Sequence, residues 1–201
     1  MSRGIIKTLN KNRIACLITA GLMLTAFVIG GARPLRKLRA ETEAVFFSGA
    51  EQIAGRDIAV NIMGDLRDYH GKANNIAIIA ERYHDGANDG IAGLQNARAE
   101  LIQAVNEEKF NAARLYAAYD GLRAAVQSLE QQVSRNSAVS QSDNLEFRGV
   151  ISELNALDTI ISRQSRIFNA DATEFNARLD RFPAVFFAGT GLVKHIDLFY
   201  N

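Results

Sequence analysis

The chain has no tryptophan, one cysteine and two prolines among its 201 residues. A lone Cys16 excludes an intrachain disulfide framework. The prolines, Pro34 and Pro183, bracket a long proline-free stretch. Proline breaks helix interiors by removing a donor and clashing with the preceding turn, so this stretch permits long helices. Alternating runs of Val, Ile, Thr and aromatics are lacking, which argues against sheet. An excess of one charge is lacking too. The 23 basic and 22 acidic residues leave a net charge of +1, with no basic stripe beyond the N-terminus, so no nucleic-acid partner is expected. The length suffices for one domain with a substantial core.

What is present begins with an apolar run, Ile14 to Ala32 (IACLITAGLMLTAFVIGGA), 19 residues without a charge. As a helix it is roughly 28 Å long, close to the apolar thickness of a bilayer. Arg3, Lys7, Lys11 and Arg13 precede it; Arg33, Arg36, Lys37 and Arg39 follow. A buried core helix is seldom apolar all round and bracketed by cations. The expectation is therefore a single-pass anchor over 14–32 after a basic flank, 1–13, with the lipid bilayer as its partner at the cell membrane. A cleaved signal peptide is the rival, since Gly30 and Ala32 suit a cleavage site. Four cations on each flank give no vote on orientation.

Beyond the anchor the pattern is helical. From Leu35 to His84, apolar residues including Leu38, Val45, Leu66 and Ile76 recur at spacings of three, four and seven. Gly49, Gly55, Gly64 and Gly71 interrupt them, marking either bends or close helix contacts. HDGANDG (84–90) reads as a turn, with a helix from Ile91. Asn106-Glu107-Glu108 resembles a cap and predicts a break there. Phe110, Leu115, Tyr119, Leu122, Val126 and Val133 form another stripe, and SRNSAVSQSDN (134–144) reads as a loop. A last long helix is expected from Leu145 to Phe182, ending before Pro183.

In that helix Leu154, Ile161, Phe168, Phe175 and Phe182 share one heptad position, while Asp158, Ser165, Ala172 and Leu179 make a mixed companion seam. One strong and one mixed seam suit an antiparallel bundle better than a two-stranded zipper. The fold expected is all-α: an N-terminal transmembrane helix, then an antiparallel bundle of long helices over 33–183, then an apolar tail over 184–201. Phe168-Asn169 and Phe175-Asn176 repeat an aromatic-amide pair seven residues apart, and Phe182-Pro183 ends the series. Each Asn lies at the edge of the Phe face. It either bonds to a neighbouring helix or stands exposed beside a core ring. The tail, with Val185, Phe186, Phe187, Leu192, Val193, Ile196, Phe199 and Tyr200, either packs back on the bundle or meets membrane or a partner.

The stretch FNADATEFNARLDRFPAVFFAG resembles the C-terminal signature of the LemA family, an aromatic-Asn pair twice at seven-residue spacing followed by aromatic-Pro and a small apolar tail. The preceding NLEFRGVISELNALDTII, the NNIAIIAERY segment with Asn75, and the closing DLFYN are similar to the family's corresponding parts. The chain departs from that pattern by Phe in place of Tyr in both pairs, and by lacking a Trp early in the soluble part and a Pro before Asn75. The resemblance implies a divergent member: a membrane-anchored helical bundle with no catalytic residues or cofactor to carry over. Its motif residues are Asn75, Phe168, Asn169, Phe175, Asn176, Phe182 and Pro183.

Enzyme chemistry finds little purchase. Glu81-x-x-His84 is one of the two such motifs a di-metal bundle uses, and the second is lacking. GTGLVK (189–194) is short of a phosphate loop by a third glycine and a preceding strand, and reads as a bend. The function expected is non-catalytic: an interaction or scaffold protein at a bacterial cell membrane, bound to a protein partner or to itself, with no metal and no cofactor. The alternatives are a di-metal bundle enzyme using Glu81 and His84, or a secreted bundle after signal cleavage.

Overall fold

A computed structural model of the chain describes residues 2–49, 61–82, 89–135, 140–181 and 183–199. Among these residues every regular element is a helix. In order they are α1 (Ser2–Ser48), α2 (Ile62–Glu81), α3 (Asp89–Val105), α4 (Ala112–Arg135), α5 (Gln141–Leu179) and the short α6 (Val185–Gly189). The contacts gather them into two compact units. One comprises 1–41 with 175–195, the other 42–174 with 196–201.

In the first unit α1 carries the apolar run. It is the one helix among the described residues long and apolar enough to cross a membrane, a property signal sequences share. Leu17, Ile18, Leu22, Met23 and Phe27 are all exposed, Leu22 by 66%. A core helix of a soluble protein would bury such side chains. The sequence pattern ends the run at Ala32, but the helix does not end there and continues through Pro34. An interior proline forfeits one hydrogen bond and crowds the carbonyl four residues back, which is Gly30 here. Helices in membranes tolerate this where neighbouring groups meet the freed carbonyl. α6 rests on α1 within the same unit. The Phe187 ring stacks on Phe27 with centroids 5.3 Å apart. A Cβ at Gly31 would overlap that ring and force it to shift, so glycine lets the ring approach. The Arg36 Nε donates to the Leu192 carbonyl at 3.1 Å, and His195 bonds Asp180 at 2.8 Å. The turn after α6 requires Gly191 in the left-handed region, φ 71°, which accounts for the bend expected over 189–194.

In the second unit α2, α3 and α4 pack on one another. Local chemistry sets several helix ends. Gly49 closes α1 with φ 82°, its N–H bonded to the Val45 carbonyl, as a left-handed C-terminal stop requires. Gly64 and Gly71 lie inside α2, and open space surrounds Gly71, so it marks no close contact. Gly55 lies outside the described residues. Asn61 caps α2, accepting from the Gly64 N–H at 2.6 Å.

Four sequence expectations shift. α5 ends at Leu179 and not at Phe182, since Asp180 and Arg181 already lie outside the helix. The break after Val105 falls where predicted, yet the cap of α4 is Asn111, which accepts from the Arg114 N–H at 2.9 Å, rather than Asn106. Glu107 pairs with Arg114 at 2.6 Å. α3 starts at Asp89, inside the expected turn, whose residues 84–88 lie outside the described set. α5 starts at Gln141, inside the expected loop, because Ser140 receives the Asp143 N–H at 3.2 Å and bonds its carboxylate in return. Such a Ser N-cap starts a helix earlier than Ser and Asn richness suggests.

Candidate functional site

The heptad phenylalanines explain the centre of the second unit. Phe168 is fully buried and meets Phe46 edge-on at 5.2 Å. Phe46 in turn meets Phe110 at 4.8 Å and Phe199 at 5.1 Å. Edge-to-face rings at such spacing gain roughly 0.5–1.5 kcal/mol per pair beyond their area. Phe46 was not legible as a core residue, because it stands only three residues before the Gly49 stop and in no run of regular spacing.

Asn169 answers the open question about the amides. It is buried, and its Oδ1 accepts from the Phe199 backbone N–H at 2.8 Å. The partner is the C-terminal segment, not another helix. Its Nδ2 is buried with no partner among the described residues. Phe175 is buried and Asn176 half-buried, both in the first unit. Asn75 lies on the exposed side of α2 and Pro183 is exposed in a turn. Phe182 lies outside the described residues. The tail packs back through Phe187, Val193, Ile196 and Phe199, all buried, while Val185 and Phe186 stay exposed.

The mixed seam proves polar for a reason. Ser165 is buried and donates to its own helix at the Ile161 carbonyl, 2.6 Å. Asp158 accepts from the Tyr119 hydroxyl, and its other oxygen lies 3.8 Å from Arg123, which also pairs with Asp120 at 3.0 Å. Beside this network is a cleft of about 240 Å³ lined by Tyr116, Tyr119, Arg123, Ile161, Ser162, Ser165, Arg166 and Phe199. Burial pushes the Tyr119 hydroxyl above its usual range, and the bond to Asp158 pushes it further. Burial does the same to Tyr69, whose ring meets Tyr119 edge-on at 5.3 Å. Burial alone would lower Arg123, but Asp158 and Asp120 outweigh it and raise its pKa. These groups hold one another: the phenols are kept protonated and the carboxylate is occupied. Ligand pockets usually enclose roughly 300–1,000 Å³, so this cleft admits at most a small polar or anionic group.

Elsewhere in the unit, Asp65 in the first turn of α2 has a buried Oδ2 with no partner among the described residues. Burial, then the Asp68 charge, raises its pKa to about 6. Burial, then Arg98, lowers that of His70. Among the described residues no three metal-binding side chains converge. Glu81 is exposed and His84 lies outside the described set.

No family model and no curated protein matches this chain. The likeness to the LemA family therefore rests on the segments quoted above.

Proposed function

We propose that the protein is a membrane-anchored antiparallel helical bundle that acts by binding a protein partner or a second copy of itself, without catalysing a reaction. The observation that carries this reading is the stripe of exposed apolar side chains on α1, Leu17 to Phe27, bracketed by cations. Such a surface is stable when lipid covers it. Two ion pairs support the antiparallel arrangement: Lys72 with Glu153 and Arg82 with Asp143, so that as α2 advances α5 recedes. The mutual pairing of Tyr119, Asp158 and Arg123 fits a structural network better than an activated one. The LemA-like Phe-Asn segments fit the same reading, as does a bacterial cell membrane for its site.

Fractionation of cells producing the full chain tests it. The chain should stay with membranes through an alkaline wash, and its intact mass should include residues 1–32. Recovery in the soluble fraction overturns the anchor. A membrane-free species beginning near Arg33 favours the secreted alternative, which Gly30 and Ala32 suit by size. Crosslinking in intact cells, followed by identification of what is attached, reads the partner.

A further inference from the structure

Within the first unit, α6 is fastened to a particular level of α1. Phe187 stacks on Phe27 and presses on Gly31, while Arg36 holds the Leu192 carbonyl. Past Ala32 the apolar run gives way to Arg33, Arg36 and Lys37. In an anchored helix this is the level of the lipid headgroups. The segment held there is itself charge-free from 182 to 193 and is flanked by the exposed cations Arg181 and Lys194. Its two neighbouring apolar side chains, Val185 and Phe186, are 42% and 56% exposed.

We propose that Val185 and Phe186 enter the lipid interface beside the anchor, giving the protein a second contact with the bilayer. The inference rests on the membrane reading above and adds to it a place and a depth. The occupant is lipid because the patch continues the surface of the span, at its cation-lined end. Phe and other apolar side chains of a segment lying at that level bury in the boundary between headgroups and acyl chains, and cations on either side of it reach the headgroup phosphates. The fit of Phe187 against Gly31 fixes the patch to α1, so the anchor's insertion carries Phe186 to the interface.

The chain has no tryptophan, so Phe186→Trp and Leu22→Trp each introduce a single fluorophore. Both full-length variants are placed in phosphatidylcholine vesicles carrying bromine either near the glycerol end or near the tip of the acyl chains. Leu22→Trp should lose most of its emission to the deep bromines, and Phe186→Trp to the shallow ones. A quenched Leu22→Trp beside an unquenched Phe186→Trp overturns the second contact and leaves the anchor standing. If neither is quenched, both fall. Blue-shifted but unquenched emission from Phe186→Trp means that protein covers the patch, which also overturns the proposal. Should Phe186→Trp lose helicity by circular dichroism, Val185→Trp reads the same depth.

Discussion

The ring cluster of the second unit and the apolar run of the first treat large side chains in opposite ways. Around Phe46 the rings of Phe110, Phe168 and Phe199 bury one another. Along α1 Leu17, Leu22 and Met23 stand bare. The charge-free run of α1 and α5, which carries Phe168 and interleaves charges with its apolar residues, differ both in apolar content and in arrangement. In α5 Leu154, Ile161, Phe168 and Phe175 keep to one buried face at seven-residue spacing, and polar side chains take most other positions. In the run of α1 apolar residues occupy every face. A one-sided helix finds its cover in neighbouring helices; an all-sided one needs a surrounding medium.

The largest expected effect breaks the first unit's half of this contrast. Leu22→Arg with Met23→Arg places two charges in the apolar run, at about 2.5–3.5 kcal/mol each on insertion scales. The chain should move from the membrane to the soluble fraction, while circular dichroism still shows a helical protein. Next, Phe46→Ala empties the middle of the ring cluster and should destabilise the second unit by about 3–5 kcal/mol. Denaturant titration would read this, and membrane retention should not change. If Phe46→Ala releases the chain from membranes, the contrast between the units fails.

Smaller effects sharpen it. Asn169→Ala strips the Phe199 N–H of its acceptor in a buried place, at about 1–3 kcal/mol, and should speed exchange of that amide more than of its neighbours. Asp65 gives a pH test. Its carboxyl has a pKa of about 6 when folded against 3.8 ordinarily, so the folded state holds the proton more tightly. The stabilisation this gives is complete below pH 4 and is lost as pH rises through 6. With partial exposure screening it, about 1 kcal/mol should disappear between pH 4 and 7, and Asp65→Asn should flatten the slope. Smallest is Lys72→Ala, which removes an exposed ion pair to Glu153 and should shift stability by less than about 1 kcal/mol.

Legibility in the sequence followed the range of the interaction. The all-helical class was readable because proline and alternating patterns are lacking, and the ladder Leu154, Ile161, Phe168, Phe175 because heptad spacing keeps one face. The break after Val105 was readable as a local cap signal, though Asn111 takes that role, because Lys109 and Phe110 extend the gap before α4. The start of α5 was misplaced although the Ser140–Asp143 pair is a short-range signal, because the surrounding Ser and Asn residues spoke for a loop. The bond from Asn169 to Phe199 spans thirty positions, and no local pattern in the sequence announces it. The cleft at Tyr119 and Arg123 was unreadable for the same reason, since its Ile161 and Ser165 lie on a different helix.

That bond at Phe199 bears on how the molecule is made. Phe46 finds one of its ring partners, and Asn169 its donor, in residues that leave the ribosome more than 150 and about 30 positions later, respectively. Contacts so distant along a chain form slowly. The apolar run of α1, by contrast, is complete once Ala32 has been added, and on the membrane reading proposed above it is taken up soon after it emerges. Insertion would therefore come early in synthesis, while the ring cluster closes only after translation has passed Phe199, leaving an interval in which a chaperone would find Phe46 open.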